Sequence, residues 1–155
     1  MTDYRELCSQ LEGFAKEERG YVPLLSNASA VLFRMLEKIN WAGFYLTGKG
    51  ERENTLILGP FQGKPACIRI PYGKGVCGTA AESGRVQRVP DVHAFPGHIA
   101  CDCDSRSEIV IPIRLDGHIV GVLDIDSPVE DRFSEEDEKG LGEFVRVLEQ
   151  YICFD

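Results

Sequence analysis

The chain has 155 residues, 43% of them apolar and 27% charged, proportions that exclude disordered, collagen-like and membrane-spanning chains. Seventeen Lys and Arg against 25 Asp and Glu leave a net charge of −8, a field that repels phosphate backbones and anionic lipid headgroups, so neither nucleic acid nor a membrane is an expected partner. The acidic start from Met1 to Glu6, with no apolar run behind it, is not a secretory leader, and a single cytoplasmic domain over residues 1–155 is expected.

Tyr4, Leu7, Cys8, Leu11 and Phe14 recur at helical spacing and predict an amphipathic helix. Leu24, Leu25, Ala28, Val31, Leu32, Met35, Leu36 and Ile39 repeat the pattern behind Pro23, which suits a first helical turn, and predict a second helix ending near Asn40. The period then shortens. Residues 41–47 and 55–58, on either side of Gly48-Lys49-Gly50 and a polar stretch, predict a hairpin, and residues 66–70 a short strand carrying Cys67. Gly73-Lys74-Gly75 leads into a short helix over 76–83, closed by Gly84. A long loop from Val86 to Ser107 follows. Residues 109–113 and 118–125 flank Asp116-Gly117, a dipeptide made for a tight hairpin turn. Ser134-Glu135-Glu136-Asp137 has the form of a capping box, and Leu141, Phe144, Val145, Leu148 and Ile152 continue it as a helical stripe. Without alternation of strand and helix the order predicts an α+β fold, an antiparallel sheet with helices gathered on one face.

The long loop carries His93, His98, Cys101 and Cys103, and Cys67 and Cys77 precede it. Loops of this length in compact domains usually have a function. A zinc site from Cys101, Cys103, His93 and His98 is disfavoured, because one residue between the cysteines is fewer than structural sites use. A Cys–His nucleophile of His98 and Cys101 would leave Cys67 and Cys77 without a role. Thiol redox chemistry uses them: a thiolate attacks an oxidised substrate, becomes a sulfenic acid and condenses with a second cysteine. Cys101 on the loop, with Cys67 on a strand and Cys77 at a helix start, supplies the parts, and the helix N-terminus biases Cys77 toward thiolate. No metal or other cofactor is expected. Asp124 and Asp126 alternate to one strand face with Val122, opposite Leu123 and Ile125. That face is either an ordinary solvated one or a place where two carboxylates meet a cation such as a substrate ammonium.

Asn40 to Tyr45, Gly73 to Ala80, Val89 to Val92, Phe95 to Asp102, Ser107 to Val110 and Gly121 to Ser127 together resemble the free methionine-(R)-sulfoxide reductases, single-domain members of the GAF fold superfamily. The resemblance covers nearly the whole chain. It implies a central six-stranded antiparallel sheet with helices on one face and a long active-site loop on the other, a homodimer, and reduction of the free amino acid sulfoxide with thioredoxin as electron donor. It further implies that Cys101 is the catalytic cysteine, Cys67 the resolving one, and Cys77 a third that can join alternative disulfides. Glu108, Asp124 and Asp126 match acids that hold the substrate and polarise its sulfoxide, and Trp41 and Tyr45 match aromatics around its methyl-bearing sulfur. Thiolate attack on a sulfoxide needs its oxygen protonated or strongly hydrogen-bonded, which suits a carboxylic acid such as Glu108 or Asp126. Cys103 departs from the family pattern, either as a competing resolving thiol or as a bystander. The alternative is a non-catalytic GAF module that senses a small ligand, although no Asn-Lys-x-Phe-Asp-Glu signature and no output domain is visible.

Overall fold

A computed structural model describes residues 1–97 and 104–155. In chain order they form α1 (Tyr4–Glu17), α2 (Tyr21–Met35), β1 (Trp41–Thr47), β2 (Thr55–Gly63), β3 (Arg69–Pro71), α3 (Gly75–Ser83), β4 (Gln87–Val89), β5 (Ser107–Leu115), β6 (His118–Ser127) and α4 (Glu135–Tyr151). The strands make one six-stranded antiparallel sheet in the order β3-β2-β1-β6-β5-β4.

Alternation along the central strands divides the apolar residues between two layers. Ala42 and Phe44 of β1, Ile109, Ile111 and Ile113 of β5, and Leu123 and Ile125 of β6 pack against α1, α2 and α4. Their neighbours Trp41, Tyr45, Val110 and Val122 point the other way, against Val76, Cys77, Ala80 and Ala81 of α3. Three helices thus share one face as expected, and the short α3 covers the other. Its apolar residues are few because it caps a small area beside a recess.

The Ser134–Asp137 capping box forms at the start of α4, and Asp116 and Gly117 both take positive φ, 51° and 78°, as a tight hairpin turn requires. Elsewhere the structure departs from the pattern. The second helix stops at Met35 because Leu36 turns extended and Lys38 takes φ 56°. The ladder between β2 and β3 runs only from Thr55↔Pro71 to Ile57↔Arg69, so Cys67 sits in the segment before β3, where Pro65 has no N–H to offer a ladder. Within the expected long loop, Gln87–Val89 pairs with β5 as an edge strand; three residues are too few to display a period.

Gly43 lies between Trp41 and Tyr45 where β1 bulges against β2. A Cβ there would stand 2.3 Å from Phe61 Cβ and 2.8 Å from Phe61 Cα, so the strands must part to admit one. Gly43→Ala is expected to destabilise the protein by about 1–3 kcal/mol, the usual cost of overpacking, read from the urea unfolding midpoint; an unchanged midpoint would show that this approach is not tight.

Candidate active site

Strand register assembles the site. Trp41 of β1 pairs with Asp126 of β6, which pairs with Glu108 of β5, so the three form one row across the sheet. In the adjacent row Gly43, Asp124 and Val110 are aligned in the same way. Asp124, Asp126 and Glu108 therefore converge on the face covered by α3, together with Trp41 and Tyr45. The recess they line has roughly 550 Å³ of empty space, counting its mouth, and Cys77, Val76, Gly75, Lys74 and Ser105 also line it.

Glu108 and Asp124 are buried, 8% and 5% exposed. The solvated-face alternative for the aspartates fails at Asp124 on this ground. Its Oδ1 is buried without a hydrogen-bond partner among the described residues. Burial pushes the Glu108 carboxyl well above its usual 4.5, and the charges of Asp124 and Asp126 push it further. Burial also raises Asp124, against hydrogen bonds from Glu108, Cys77 and Asp126 that favour its charged form. Burial thus favours the protonated form of both carboxyls, and only Asp124 has neighbours that act against it.

Cys77 Sγ lies 3.9 Å from Glu108 Oε2. It is buried in the first turn of α3, yet the thiolate bias expected there is overturned: burial, then the charges of Asp124, Glu108 and Asp126, hold the thiol well above its ordinary 9.0. A helix terminus acts on a charge by about 0.3–1 kcal/mol, far less than desolvation beside carboxylates.

The aromatic wall does two things. Trp41 stacks on Tyr45, with ring centroids 5.9 Å apart, and on Phe61 at 5.1 Å. It also donates its indole N–H to the Lys64 carbonyl at 3.1 Å, while the Tyr45 hydroxyl donates to the Cys67 carbonyl at 3.0 Å. Lys64 Nζ in turn meets Asp104 Oδ2 at 2.6 Å. The segment carrying Cys67 is therefore fastened to the pocket wall, and Cys67 is disulfide-bonded, whereas Cys8, Cys77 and Cys153 are free. His98, Cys101 and Cys103 lie outside the described residues; His93 is exposed on a short turn. Sequence reasoning did not single out Lys74, Ser105 or Phe61. In the sequence Lys74 is only part of a glycine-rich lead-in, and Phe61 extends β2 beyond its apolar run.

The fold and this recess define a GAF domain with an acidic pocket, and the GAF family model matches residues 21–152. The chain is 57% identical to protein YtsP of Bacillus subtilis over 97% of its length and 91% of that protein. It is 51% identical to the free methionine-R-sulfoxide reductase of Escherichia coli over 97% of its length and 88% of that protein. The fRMsr of Staphylococcus aureus in complex with substrate superposes with a TM-score of 0.91 at 50% identity, over 99% of this chain and 97% of that one. The protein belongs to the free methionine-R-sulfoxide reductase family of GAF domains. No helix among the described residues is long and apolar enough to cross a membrane.

Because the folded-state pKa of Glu108 is raised, its contribution to stability is complete below about pH 4.5 and is lost as pH rises through the folded value. Glu108→Gln, neutral at every pH, is expected to raise the melting temperature relative to the parent at pH 8 and to change it much less at pH 4. Parallel melting curves for the two proteins across that range would contradict the burial of an ionising group.

Proposed function

We propose that the protein reduces free L-methionine-(R)-sulfoxide to L-methionine in the cytoplasm. The observation that carries this reading is the buried Asp124 oxygen without a hydrogen-bond partner among the described residues, beside a carboxyl that burial drives toward its neutral form and under an aromatic wall. A free amino acid sulfoxide brings one group for each feature. Its ammonium meets Asp124 with Asp126, its carboxylate meets Lys74 and the first turn of α3, which has no side-chain cap, and its S-methyl packs on Trp41 and Tyr45, a sulfur–aromatic contact of roughly 1 kcal/mol. Peptide-bound methionine sulfoxide has no ammonium to place and is excluded.

Cys101 is the attacking thiolate. Its sulfur attacks the sulfoxide sulfur as Glu108 or Asp126 protonates the sulfoxide oxygen, and that hydroxyl then passes to the Cys101 sulfur as the new sulfur–sulfur bond breaks. The sulfoxide gains two electrons, Cys101 becomes a sulfenic acid, and free methionine departs. Cys67 then attacks the sulfenic acid, water leaves, and a disulfide remains. Cys8, Cys77 and Cys153 being free supports Cys67 as the resolving thiol over Cys77, and the Tyr45 hydrogen bond to its carbonyl supports a fixed position for it. A thioredoxin dithiol returns both cysteines to thiols. The family likeness also supports a homodimer. A sensor without turnover would need neither a fastened second thiol nor a proton donor at the pocket floor.

Cys101→Ser is expected to abolish reduction of the free (R)-sulfoxide, with the (S)-epimer and a peptide-bound sulfoxide inert toward the parent; substantial turnover by the variant would remove Cys101 from the chemistry. Glu108→Gln is expected to lower kcat by about 10²–10⁴-fold, the range of a general acid, and Asp124→Asn to act mainly on KM. Unchanged steady-state constants in both would refute the assigned roles.

A further inference from the structure

Three electron-pair donors of different kinds meet at the pocket floor. The Sγ of Cys77 and carboxylate oxygens of Glu108 and Asp124 all lie within 4.8 Å of one another, and all three residues are buried. They come from α3, β5 and β6, elements locked to each other by the sheet register and by the α3 packing. A tetrahedral zinc with sulfur at about 2.3 Å and oxygen at about 2.0 Å sets those two ligands about 3.5 Å apart. The 3.9 Å between Cys77 Sγ and Glu108 Oε2 needs a shift of only a few tenths of an ångström. Independently of this spacing, Asp124 is 5% exposed and its Oδ1 is buried in this recess with no hydrogen-bond partner among the described residues. An orphaned carboxylate oxygen beside a free thiol asks for a cation.

We propose that Cys77, Glu108 and Asp124 form a site for a thiophilic divalent cation such as Zn²⁺, and that this cation and the sulfoxide substrate exclude one another. The thiol proton and the Glu108 proton leave to solvent as the metal–sulfur and metal–oxygen bonds form, with no change of oxidation state. The fourth position faces the recess and takes water or chloride. The thiolate selects against Mg²⁺ and Ca²⁺, which prefer all-oxygen shells. The consequence is inhibitory: the ion takes the carboxylate charge that the substrate ammonium needs. Metal binding stands apart from the reductase reading, and only the mutual exclusion rests on it.

Co²⁺ alone serves as the probe, since a cobalt–thiolate bond gives a near-ultraviolet charge-transfer band and tetrahedral cobalt gives visible ligand-field bands. The full-length protein carrying Cys67→Ser, Cys101→Ser and Cys103→Ser removes competition from the other pocket and loop thiols. It is expected to develop both bands on Co²⁺ titration and to lose them to Zn²⁺ but not to Mg²⁺. Adding Cys77→Ser is expected to abolish the charge-transfer band, and adding Asp124→Asn instead to weaken binding by at least about 10-fold, with circular dichroism confirming the fold of each. Absence of the band in the first protein, or its persistence after Cys77→Ser, would overturn the site. Free methionine-(R)-sulfoxide is expected to raise the apparent Kd of Co²⁺ in proportion to its concentration. Tight, thiolate-bound cobalt that the sulfoxide leaves undisturbed would uphold the metal site and overturn the exclusion, and with it the placement of substrate on these carboxylates.

Discussion

Burying the Glu108 and Asp124 carboxyls together, with the Cys77 thiol beside them, is the constraint from which the character of this molecule follows. An isolated buried carboxylate costs several kcal/mol, and burial accordingly pushes both the Glu108 and the Asp124 carboxyl toward their protonated forms, Glu108 further because the charges of Asp124 and Asp126 add to it. Lys74, the one basic residue among the described lining residues, is exposed at the rim and does not neutralise the floor. The charge pattern is therefore complementary to a small zwitterion: acidic at the bottom, with a cation and a helix N-terminus at the mouth.

The sheet makes this possible because antiparallel register is all or nothing. Trp41, Asp126 and Glu108 share a row, and a slip of one residue would send all of them into the apolar layer under α1, α2 and α4 while exposing Phe44, Leu123 and Ile109. The cost of such a slip, two carboxyl groups and several apolar side chains misplaced together, fixes the site with the same interactions that fix the fold. The tight Asp116-Gly117 turn and the register shift between Ile113 and Arg114 together set the β5–β6 pairing from one end, and the apolar rows Ile111↔Leu123 and Ile109↔Ile125 hold it from the other.

Much of this could be read before any coordinates. Strong periods gave α1, α4 and the β5–β6 hairpin, and the single alternation Val122, Asp124, Asp126 placed both aspartates on one face. What resisted reading has local physical causes. β4 and β3 are three residues each, too short for a period, so Cys67 was assigned to a strand it only precedes. The early stop of α2 depends on Lys38 taking a left-handed conformation, which no residue type there announces. Cys77 was legible as a residue at a helix start but not as a buried one: the bias of a helix terminus is a local property, whereas the three carboxylates that overrule it come from strands 31 or more positions away. Resemblance to a family supplied the roles of Cys101 and Cys67, which spacing alone left among alternatives.

The two aromatic residues show why a lining residue and a positioning residue need not be different things. An indole and a phenol present apolar faces to a substrate while their polar edges remain available. Here those edges bond the carbonyls of Lys64 and Cys67, so the wall of the recess also fixes the segment bearing Cys67. A phenylalanine in either place would keep much of the wall and release the backbone behind it, leaving a carbonyl without its donor. The stacking of Phe61 on Trp41 completes the arrangement from β2, and the close approach that it requires is open only because residue 43 has no side chain. Pocket shape, the placement of Cys67 and the β1–β2 bulge are for that reason one packing problem rather than three.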